Sequence, residues 1–356
     1  MVSLLEDEDG ITPWRLPQAS RPYLPPLMSF VASCAAGVRV ALVTDTTALA
    51  IELAQISVAP IPGLEHFPPR FDLVVDDELV ESVVDETGSR FDALLGRITE
   101  AGPETTVRFE GLPLRRKRVE VWLPVRSRVA IRRIGIDEGA SCEAWVDERP
   151  KWIVHGSSIT HCGEAYSPSR TWPGVAARAL GLNATNLGLG GQCLVEQWVA
   201  RAIRDLPASQ ITLKLGINVW NFAAMSDRVF TSSVHGFLDT VRDGHPTTPI
   251  DLVSPIYCPP GEHTCGPSVL GEEGRWLSVA NAGEADGCPT VTRMREVLAE
   301  IVAVRIRNGD EWITYVDGLE LLGPDDRRHL PDDLHPDADG YVAIGERYAR
   351  MIRRRL

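Results

Sequence analysis

The sequence predicts an α/β protein in which a β-sandwich precedes a three-layer α/β domain with a parallel sheet. Residues 1–150 contain many short apolar stretches separated by turn residues, which is typical of a sandwich. Residues 151–356 alternate short apolar strands with longer helical segments, which is typical of a parallel sheet covered by helices on both faces. A chain of 356 residues is also long for one core, so two domains are expected.

Short strands are predicted throughout the first domain, after a lead-in rich in proline. They are expected at 38–43, 48–53, 71–75, 79–84, 106–109, 118–122 and 129–136. Turn sequences such as Gly111-Leu112-Pro113 separate them. The region offers no nucleophile with a neighbouring base and no cluster of metal ligands. We therefore expect residues 1–150 to form an accessory domain that covers one wall of a site in the second domain.

The second domain is predicted to alternate strand and helix along its length. Strands are expected at 152–155, 184–187, 211–215, 250–256 and 313–316, and helices at 172–180, 194–206, 227–242, 291–307 and 338–354. Parallel strands joined by right-handed crossovers have all their carboxyl ends at one edge of the sheet, where open α/β folds bind ligands. Candidate site residues are therefore expected directly after each strand.

The overall charge disfavours several classes of partner. A net charge of −13 and a pI near 5.1 argue against binding to nucleic acid or to an anionic membrane. The amino-terminal sequence is acidic and lacks the features of a signal peptide, and no stretch reaches the roughly 18 apolar residues of a membrane helix. We therefore expect a cytoplasmic protein.

The seven cysteines predict neither a zinc site nor a full disulfide framework, because their number is odd and no Cys-x-x-Cys pair is present. Free thiols are expected, and a disulfide bridge between Cys258 and Cys265 is the alternative for these two residues. No metal and no organic cofactor is expected, and the oligomeric state is left open.

A serine pair follows the first strand of the second domain. In the segment 152–160, a buried strand ends at Gly156, which permits a sharp turn. Ser157 or Ser158 would then present a hydroxyl at the carboxyl edge of the sheet. The alternative is an ordinary turn in which the serines only act as caps.

Glycine-rich and amide-bearing turns follow the next two strands. The sequence Gly-Leu-Gly-Gly-Gln at 188–192 does not fit the dinucleotide motif G-x-G-x-x-G and lacks a phosphate-binding lysine, so a nucleotide site is disfavoured. Such a loop can instead offer a backbone N–H to an oxyanion. The sequence Gly216-Ile217-Asn218 places an amide side chain at the same edge, unless Asn218 only forms the turn.

The last group of interest precedes the terminal helix, in the sequence Asp-Asp-Leu-His-Pro at 332–336. Acyl transfer by a hydroxyl needs a base, and a carboxylate that orients the base and offsets its charge. Asp332 and His335 lie three positions apart and can fill both roles while the serine comes from another strand. The alternative for His335 is a surface histidine without a chemical role.

Together these segments resemble the sequence blocks of the SGNH (GDSL-type) hydrolase superfamily. The matching segments are Gly156–Thr160, Asn186–Gly191, Gly216–Asn218 and Asp332–Pro336, and the resemblance covers about 151–356. It implies that Ser158 is the nucleophile, that His335 is the base, and that Asp332 rather than the adjacent Asp333 is its partner.

The resemblance also implies an oxyanion hole made by the backbone N–H groups of Ser158 and Gly191 and by the side chain of Asn218. Two positions depart from the usual pattern, because Ser157 and Val219 stand where the family commonly has Asp. Both departures occur in a subgroup with the sequence Gly-Ser-Ser-Ile-Thr and an N-terminal β-sandwich. They affect the expected substrate more than the expected chemistry.

The implied activity is that of a carboxylic ester hydrolase or acyltransferase that acts through an ester on serine. Relatives with this layout include esterases and acyltransferases that modify natural products. The expected substrate is a small-molecule ester or thioester, with an alcohol acceptor in the case of transfer, and hydrolysis is slightly favoured. A non-catalytic carbohydrate- or partner-binding protein with a degenerate hydrolase domain is the competing hypothesis.

The substrate pocket is expected under a long segment at 257–289, which is rich in proline and glycine and carries Trp276. Trp198 and Trp220 closely follow two of the oxyanion segments and are candidates to line an apolar acyl pocket with it. Core packing is the alternative role for Trp198 and Trp220.

Overall fold

The structure, a computed structural model, describes residues 3–60, 65–93, 95–280 and 287–354. The strands are β1 Ser3–Asp7, β2 Gly10–Trp14, β3 Arg39–Thr44, β4 Leu49–Val58, β5 Arg70–Val75, β6 Glu78–Val84, β7 Ser89–Asp92, β8 Arg97–Glu100, β9 Thr105–Phe109, β10 Lys117–Trp122, β11 Ser127–Ile136, β12 Cys142–Ala144, β13 Lys151–Gly156, β14 Asn183–Gly188, β15 Gln210–Lys214, β16 Ile250–Val253, β17 Ser268–Leu270, β18 Trp276–Ser278 and β19 Ile313–Val316. The helices are α1 Pro26–Ser33, α2 Ser158–His161, α3 Trp172–Leu180, α4 Gln197–Asp205, α5 Ile217–Asn221, α6 Asp227–Gly244, α7 Val291–Arg307, α8 Gly318–Leu321 and α9 Ala338–Arg353. Short 3-10 segments occur at Gln18–Tyr23, Pro168–Arg170, Pro259–Gly261 and Pro324–His329.

Two sheets pack face to face in the first part of the chain. One has the order β1-β2-β11-β4-β7-β8, with β9 also paired to β4, and the other has the order β12-β3-β10-β5-β6. The pairings are antiparallel except that between β4 and β7. Every second residue of β4 is buried, because alternate side chains of a strand point to opposite faces. Ile51 and Leu53 thereby share a core with Phe71 and Leu73 of the opposite sheet.

The second part of the chain contains a parallel sheet with the order β14-β13-β15-β16-β19. Trp152 and His155 of β13 point to opposite faces, since they are an odd number of residues apart. The Trp152 ring stacks on Tyr348 of α9, and the His155 ring stacks on Phe237 of α6. Helices therefore cover both faces, and the predicted fold class is confirmed.

The register of the parallel strands collects the functional turns at one edge. Gly156 at the end of β13 lies beside Gly188 of β14 on one side and Lys214 of β15 on the other. The residues that follow these three positions are therefore neighbours in space, although 158 and 218 lie far apart in the sequence.

The observed elements agree closely with the predicted ones in the second domain. The helices at 172–180 and 291–307 and the strand at 313–316 have the predicted bounds. The predicted helix at 194–206 begins only at Gln197, because Val195 has a positive φ of 60°. The predicted strand at 250–256 ends at Val253, shortly before Pro255, which has no N–H to donate to a ladder.

The proline-rich lead-in is more ordered than the sequence indicated. It forms the β1–β2 hairpin and α1, in which Pro26 occupies the first turn, where its fixed φ and missing N–H are tolerated. The short strands β7, β8, β12, β17 and β18 were also not predicted. Of the long segment at 257–289, residues 281–286 lie outside the described ranges.

The lead-in packs against the parallel-sheet part of the chain. Trp14, Leu16, Met28 and Ala32 belong to the same buried apolar cluster as Trp152. A second link is polar, because the buried Asp72 carboxylate of β5 accepts hydrogen bonds from Ser167 Oγ and from the Ser169 N–H at 2.6 and 2.9 Å. The sandwich is thus joined to the parallel-sheet part by both apolar and hydrogen-bonded contacts.

No helix within the described ranges is long and apolar enough to cross a membrane. All seven cysteines are free thiols, so Cys258 and Cys265 form no bridge. The Cys265 Sγ instead donates to the carbonyl oxygen of Cys288 at 2.7 Å. Over the same described ranges, no group of three or more His, Cys, Asp or Glu side chains is arranged to hold a metal ion.

Candidate active site

The turn after β13 gives its two serines different tasks. Ser157 is fully buried and caps α2, with its Oγ accepting a hydrogen bond from the Ile159 N–H at 3.3 Å. Gly156 is required for this turn, because a Cβ there would lie 2.4 Å from Thr160 Oγ1. Ser158, at the first helical position, is only partly buried and is free to present its hydroxyl.

Ser158 lies beside the imidazole of His335, the base predicted from the sequence. Ser158 Oγ lies 2.9 Å from His335 Nε2, and His335 Nδ1 lies 2.7 Å from Asp332 Oδ2. A carboxylate only accepts hydrogen bonds, so we assign the imidazole proton to Nδ1, which leaves Nε2 as an acceptor for the serine hydroxyl. The three side chains form a hydrogen-bonded chain with the geometry of a Ser-His-Asp triad.

The loop before α9 holds the carboxylate in place. Asp332 Oδ1 accepts the backbone N–H groups of Leu334 and His335 at 2.9 and 2.6 Å, which leaves Oδ2 for the imidazole. Asp333 has a positive φ of 62° and forms ion pairs with Arg275 and Arg327 instead. The two adjacent carboxylates therefore have separate partners.

The charges around the imidazole favour its protonated form. Burial disfavours the imidazolium, but the Glu164 carboxylate and Asp332 outweigh this effect and raise the pKa of His335 above its ordinary value of 6.5. Burial also disfavours the charged form of Asp332 and by itself would raise the pKa of this carboxyl group. The hydrogen bonds from His335 and the backbone outweigh burial and lower the pKa of Asp332 below 3.8. Asp332 is thus ionised when His335 receives a proton.

The glycine-rich loop after β14 lies directly beside the nucleophile. A Cβ added to Gly190 would be 3.9 Å from both Cα and Cβ of Ser158, so the peptide that links Gly190 to Gly191 borders the serine. Gly191 has a φ of 65°, which only glycine adopts readily. Among the described residues, neither the Ser158 N–H nor the Gly191 N–H has an acceptor.

Asn218 is oriented by the same loop. Its Oδ1 accepts the Cys193 N–H at 3.1 Å, so the amide nitrogen points away from Cys193. Asn218 is buried, and its Nδ2 donates to no acceptor in the described part of the chain. Three N–H donors near the carboxyl edge of the sheet, from Ser158, Gly191 and Asn218, thus have no acceptor among the described residues.

An arginine from the first part of the chain holds the end of β14 and the glycine-rich loop that follows it. The Arg15 guanidinium is buried and donates to the carbonyl oxygens of Asn186 and Gly188 at 3.1 and 2.7 Å. Its other N–H groups donate to Cys34 and Val31, both at 2.6 Å. No sequence motif indicated this role, because Arg15 and Gly188 are 173 positions apart.

The serine opens into a cavity of about 550 Å³ that both parts of the chain enclose. The reacting side is formed by Ser158, Asp332 and His335, with Trp276 beside them. The opposite side comes from α1 and the sandwich, and includes Leu27, Phe30, Val58, Phe67 and Arg126. Residues 1–150 were expected to cover one wall of the site, and they supply this wall.

The three tryptophans proposed for the pocket have different positions. Trp276 lines the cavity, with its ring 6.2 Å from the His335 ring and its Nε1 3.2 Å from Asp332 Oδ2. Trp220 is fully buried, and its Nε1 donates to the Thr264 carbonyl oxygen at 2.8 Å. Trp198 packs against the apolar core. Neither of these two is among the described residues that line the cavity, so core packing is their role in this structure.

Two family matches cover most of the chain. Residues 1–132 match the family described as the N-terminal domain of SsfX3, and residues 150–258 match the GDSL-like lipase/acylhydrolase family. The predicted resemblance is therefore confirmed, and with it an enzyme of the ester hydrolase or acyltransferase type.

Solved structures resemble the chain over nearly its whole length. The salicylyl-acyltransferase SsfX3 from a tetracycline biosynthetic pathway is 29% identical, with 99% of this chain and 92% of that chain covered and a TM-score of 0.83. A GDSL-like lipase candidate from Bacteroides ovatus is 20% identical, with 99% and 95% covered and a TM-score of 0.74. A family two carbohydrate esterase from Clostridium thermocellum is 14% identical, with 99% and 98% covered and a TM-score of 0.62. The last two show the shared fold alone, and no curated protein sequence matches the chain.

The match to the GDSL-like family contains Ser158, Gly191 and Asn218, but it ends before Asp332 and His335. The fold completes the site, because the loop before α9 returns these two residues to the carboxyl edge of β13. Glu164 and Arg126 also line the cavity, and neither carries a sequence signal that could have identified it.

Proposed function

We propose that this protein transfers an acyl group from a small-molecule ester or thioester through an ester on Ser158. The observation that carries the proposal is the hydrogen-bonded chain from Ser158 through His335 to Asp332, which ends in a cavity large enough for a small molecule. The proposed boundary between the sandwich and the catalytic domain lies near residue 150, and a cytoplasmic location remains a prediction.

In the first half-reaction, His335 Nε2 takes the Ser158 proton while Oγ attacks the substrate carbonyl carbon. The carbonyl oxygen becomes an oxyanion that accepts hydrogen bonds from the backbone N–H groups of Ser158 and Gly191 and from Asn218 Nδ2. Collapse of this intermediate breaks the bond to the leaving group, which receives the proton from His335. The acyl group then remains on Ser158.

In the second half-reaction, water or an alcohol gives its proton to His335 and attacks the acyl-enzyme. The second tetrahedral intermediate collapses, Ser158 recovers its proton, and the product is a free acid or a new ester. Both outcomes use the same triad, so access of water and of the acceptor decides between them. Transfer to an alcohol is favoured here by the likeness to the salicylyl-acyltransferase SsfX3 over 99% of the chain. Hydrolysis, slightly favoured from sequence, is the second candidate.

The test compares Ser158→Ala with Ser157→Ala on p-nitrophenyl acetate and on aryl and alkyl thioesters. We expect Ser158→Ala to abolish turnover and the mass increase of an acyl-enzyme, whereas Ser157→Ala loses only a cap and retains acylation. Product analysis with and without alcohol acceptors then separates transfer from hydrolysis. A non-catalytic binding protein would show no serine-dependent turnover of any of these substrates.

A further inference from the structure

Arg126 occupies a fixed position at the junction of the two domains. It lies between β10 and β11, and its carbonyl oxygen accepts the Val58 N–H at 3.2 Å. The preceding carbonyl, of Val125, is 2.8 Å from His161 Nε2 in the helix that begins at Ser158. The backbone that carries Arg126 is therefore held from both the sandwich and the nucleophile helix.

The Arg126 side chain extends over the turn that follows this helix. A Cβ added to Gly163 would lie 3.0 Å from Arg126 Cδ and 3.5 Å from its Nε, so the glycine leaves room for the side chain to pass. Arg126, Gly163, Ser158 and His335 all line the same cavity. The sandwich thus directs a permanent positive charge toward the reacting groups.

The Arg126 guanidinium has no hydrogen-bond or ion-pair partner among the described residues. Of the carboxylates that line the same cavity, Asp332 binds His335 and Glu164 accepts a hydrogen bond from the Tyr341 hydroxyl at 2.8 Å, while Glu65 and Glu273 are exposed and form no ion pair with Arg126. The Asp337 carboxylate likewise contacts His329. Partly buried charges are normally paired in folded proteins, so an unpaired arginine in a substrate cavity indicates a partner that the substrate brings.

We propose that Arg126 binds an anionic group of the substrate, a carboxylate or a phosphate, while the ester or thioester carbonyl lies at Ser158. The guanidinium presents a planar fork of donors that matches both anions. Leu27, Phe30, Phe67 and Trp276 line the same cavity and contact the uncharged part of the substrate. This inference rests on the proposed function and adds the charge of the substrate to it.

Two pairs of substrates separate the two sources of negative charge. The carboxylate pair is mono-p-nitrophenyl glutarate and its methyl ester, which differ in the charge at the far end and by one methyl group. The phosphate pair is acetyl-coenzyme A and S-acetyl-N-acetylcysteamine, which share the thioester but not the phosphates. For each pair, the ratio of kcat/KM for the charged substrate to that for the neutral substrate is measured in the wild type and in Arg126→Gln.

We expect Arg126→Gln to lower this ratio about 10- to 100-fold in one of the two pairs, because hydrogen bonds to charged groups are stronger than neutral ones. The pair that responds identifies the anion. Arg126→Lys keeps the charge but not the fork, so its ratio should lie between those of the wild type and Arg126→Gln. Circular dichroism and thermal unfolding of both variants report whether they fold.

Arg70→Gln is the matched control. Its guanidinium lies 4.5 Å from the centre of the Tyr166 ring, and it is not among the described residues that line the cavity, so both ratios should stay at their wild-type values. An unchanged ratio in both pairs for Arg126→Gln, or an equal loss on charged and neutral substrates, overturns the inference while leaving the proposed function intact. The absence of serine-dependent turnover on all four substrates would instead refute the proposed function.

Discussion

Trp276 donates its indole N–H to Asp332 Oδ2, the oxygen that also accepts the hydrogen bond from His335 Nδ1. The backbone N–H of Trp276 donates to the Asp332 carbonyl oxygen at 2.9 Å as well. The start of β18, which lines the cavity, is thereby attached to Asp332 at two points. Substrate contacts with Trp276 are consequently coupled to the orientation of the imidazole.

Asp332→Asn should lower kcat about 10³- to 10⁴-fold, because an amide can donate to His335 Nδ1 and stabilise the wrong tautomer. Asp333→Asn is the matched control, since asparagine tolerates the positive φ at that position and only two partly exposed ion pairs are lost. Steady-state kinetics on one ester measures both. A greater loss in Asp333→Asn would assign the triad carboxylate to the other aspartate.

Glu164→Gln should shift the acidic limb of the kcat/KM profile to lower pH. The base must be neutral to accept the serine proton, so activity rises as pH passes upward through the pKa of His335. Despite the opposing effect of burial, the Glu164 charge contributes to holding that pKa above 6.5. Tyr341→Phe removes the hydroxyl that donates a hydrogen bond to Glu164 but keeps the Glu164 carboxylate. The acidic limb of this variant should therefore lie at higher pH than that of Glu164→Gln. An unmoved limb in Glu164→Gln would contradict this assignment.

Arg15→Gln should lower kcat by about 10-fold or more with a smaller change in KM. The carbonyl oxygens of Asn186 and Gly188 would lose their donors, and the loop that presents the Gly191 N–H would shift away from the developing oxyanion. Arg21→Gln is the control, because its guanidinium stacks on the Trp14 ring at 5.0 Å and lies at the surface. A folded Arg15→Gln protein with a wild-type kcat would exclude this positioning role.

Lys214→Met should stabilise the protein at neutral pH. Lys214 is buried, its Nζ has no partner among the described residues, and burial lowers its pKa from 10.5 to about 8. The folded state disfavours the charged ammonium, so burying Lys214 lowers the free energy of unfolding. This loss of stability is complete below pH 8 and disappears as pH rises toward 10.5. The variant should therefore gain about 2–3 kcal/mol in the free energy of unfolding at pH 7 and much less at pH 10. Urea denaturation at the two pH values measures this, and an equal difference at both would rule out the explanation.

The sequence was most informative where short-range rules operate. Strand ends followed by Gly156, Gly191 and Gly216 could be found because parallel strands end at one edge, and Asp332 and His335 lie on a single loop. The contacts of Arg15 and Arg126 could not be found, because they depend on how the first part of the chain packs on the second. The contact of Glu164 depends on how Tyr341 of α9 packs against the turn after α2. For Trp198 and Trp220, proximity in sequence to the oxyanion segments did not reveal that Trp220 lies in the core and that Trp198 packs against it.

The cavity has walls from two separate stretches of sequence, and this division has a consequence for how the protein can change. Residues from 27–34, 58–60 and 65–67 line the cavity but are far from Ser158, Asp332 and His335 in the sequence. Substitutions there are expected to alter which acyl group or acceptor fits while leaving the serine, the imidazole and the carboxylate in place. This wall and the triad thus lie on separate stretches of sequence, so exchanging residues 58–60 and 65–67 between relatives should change the specificity while the triad residues stay in place.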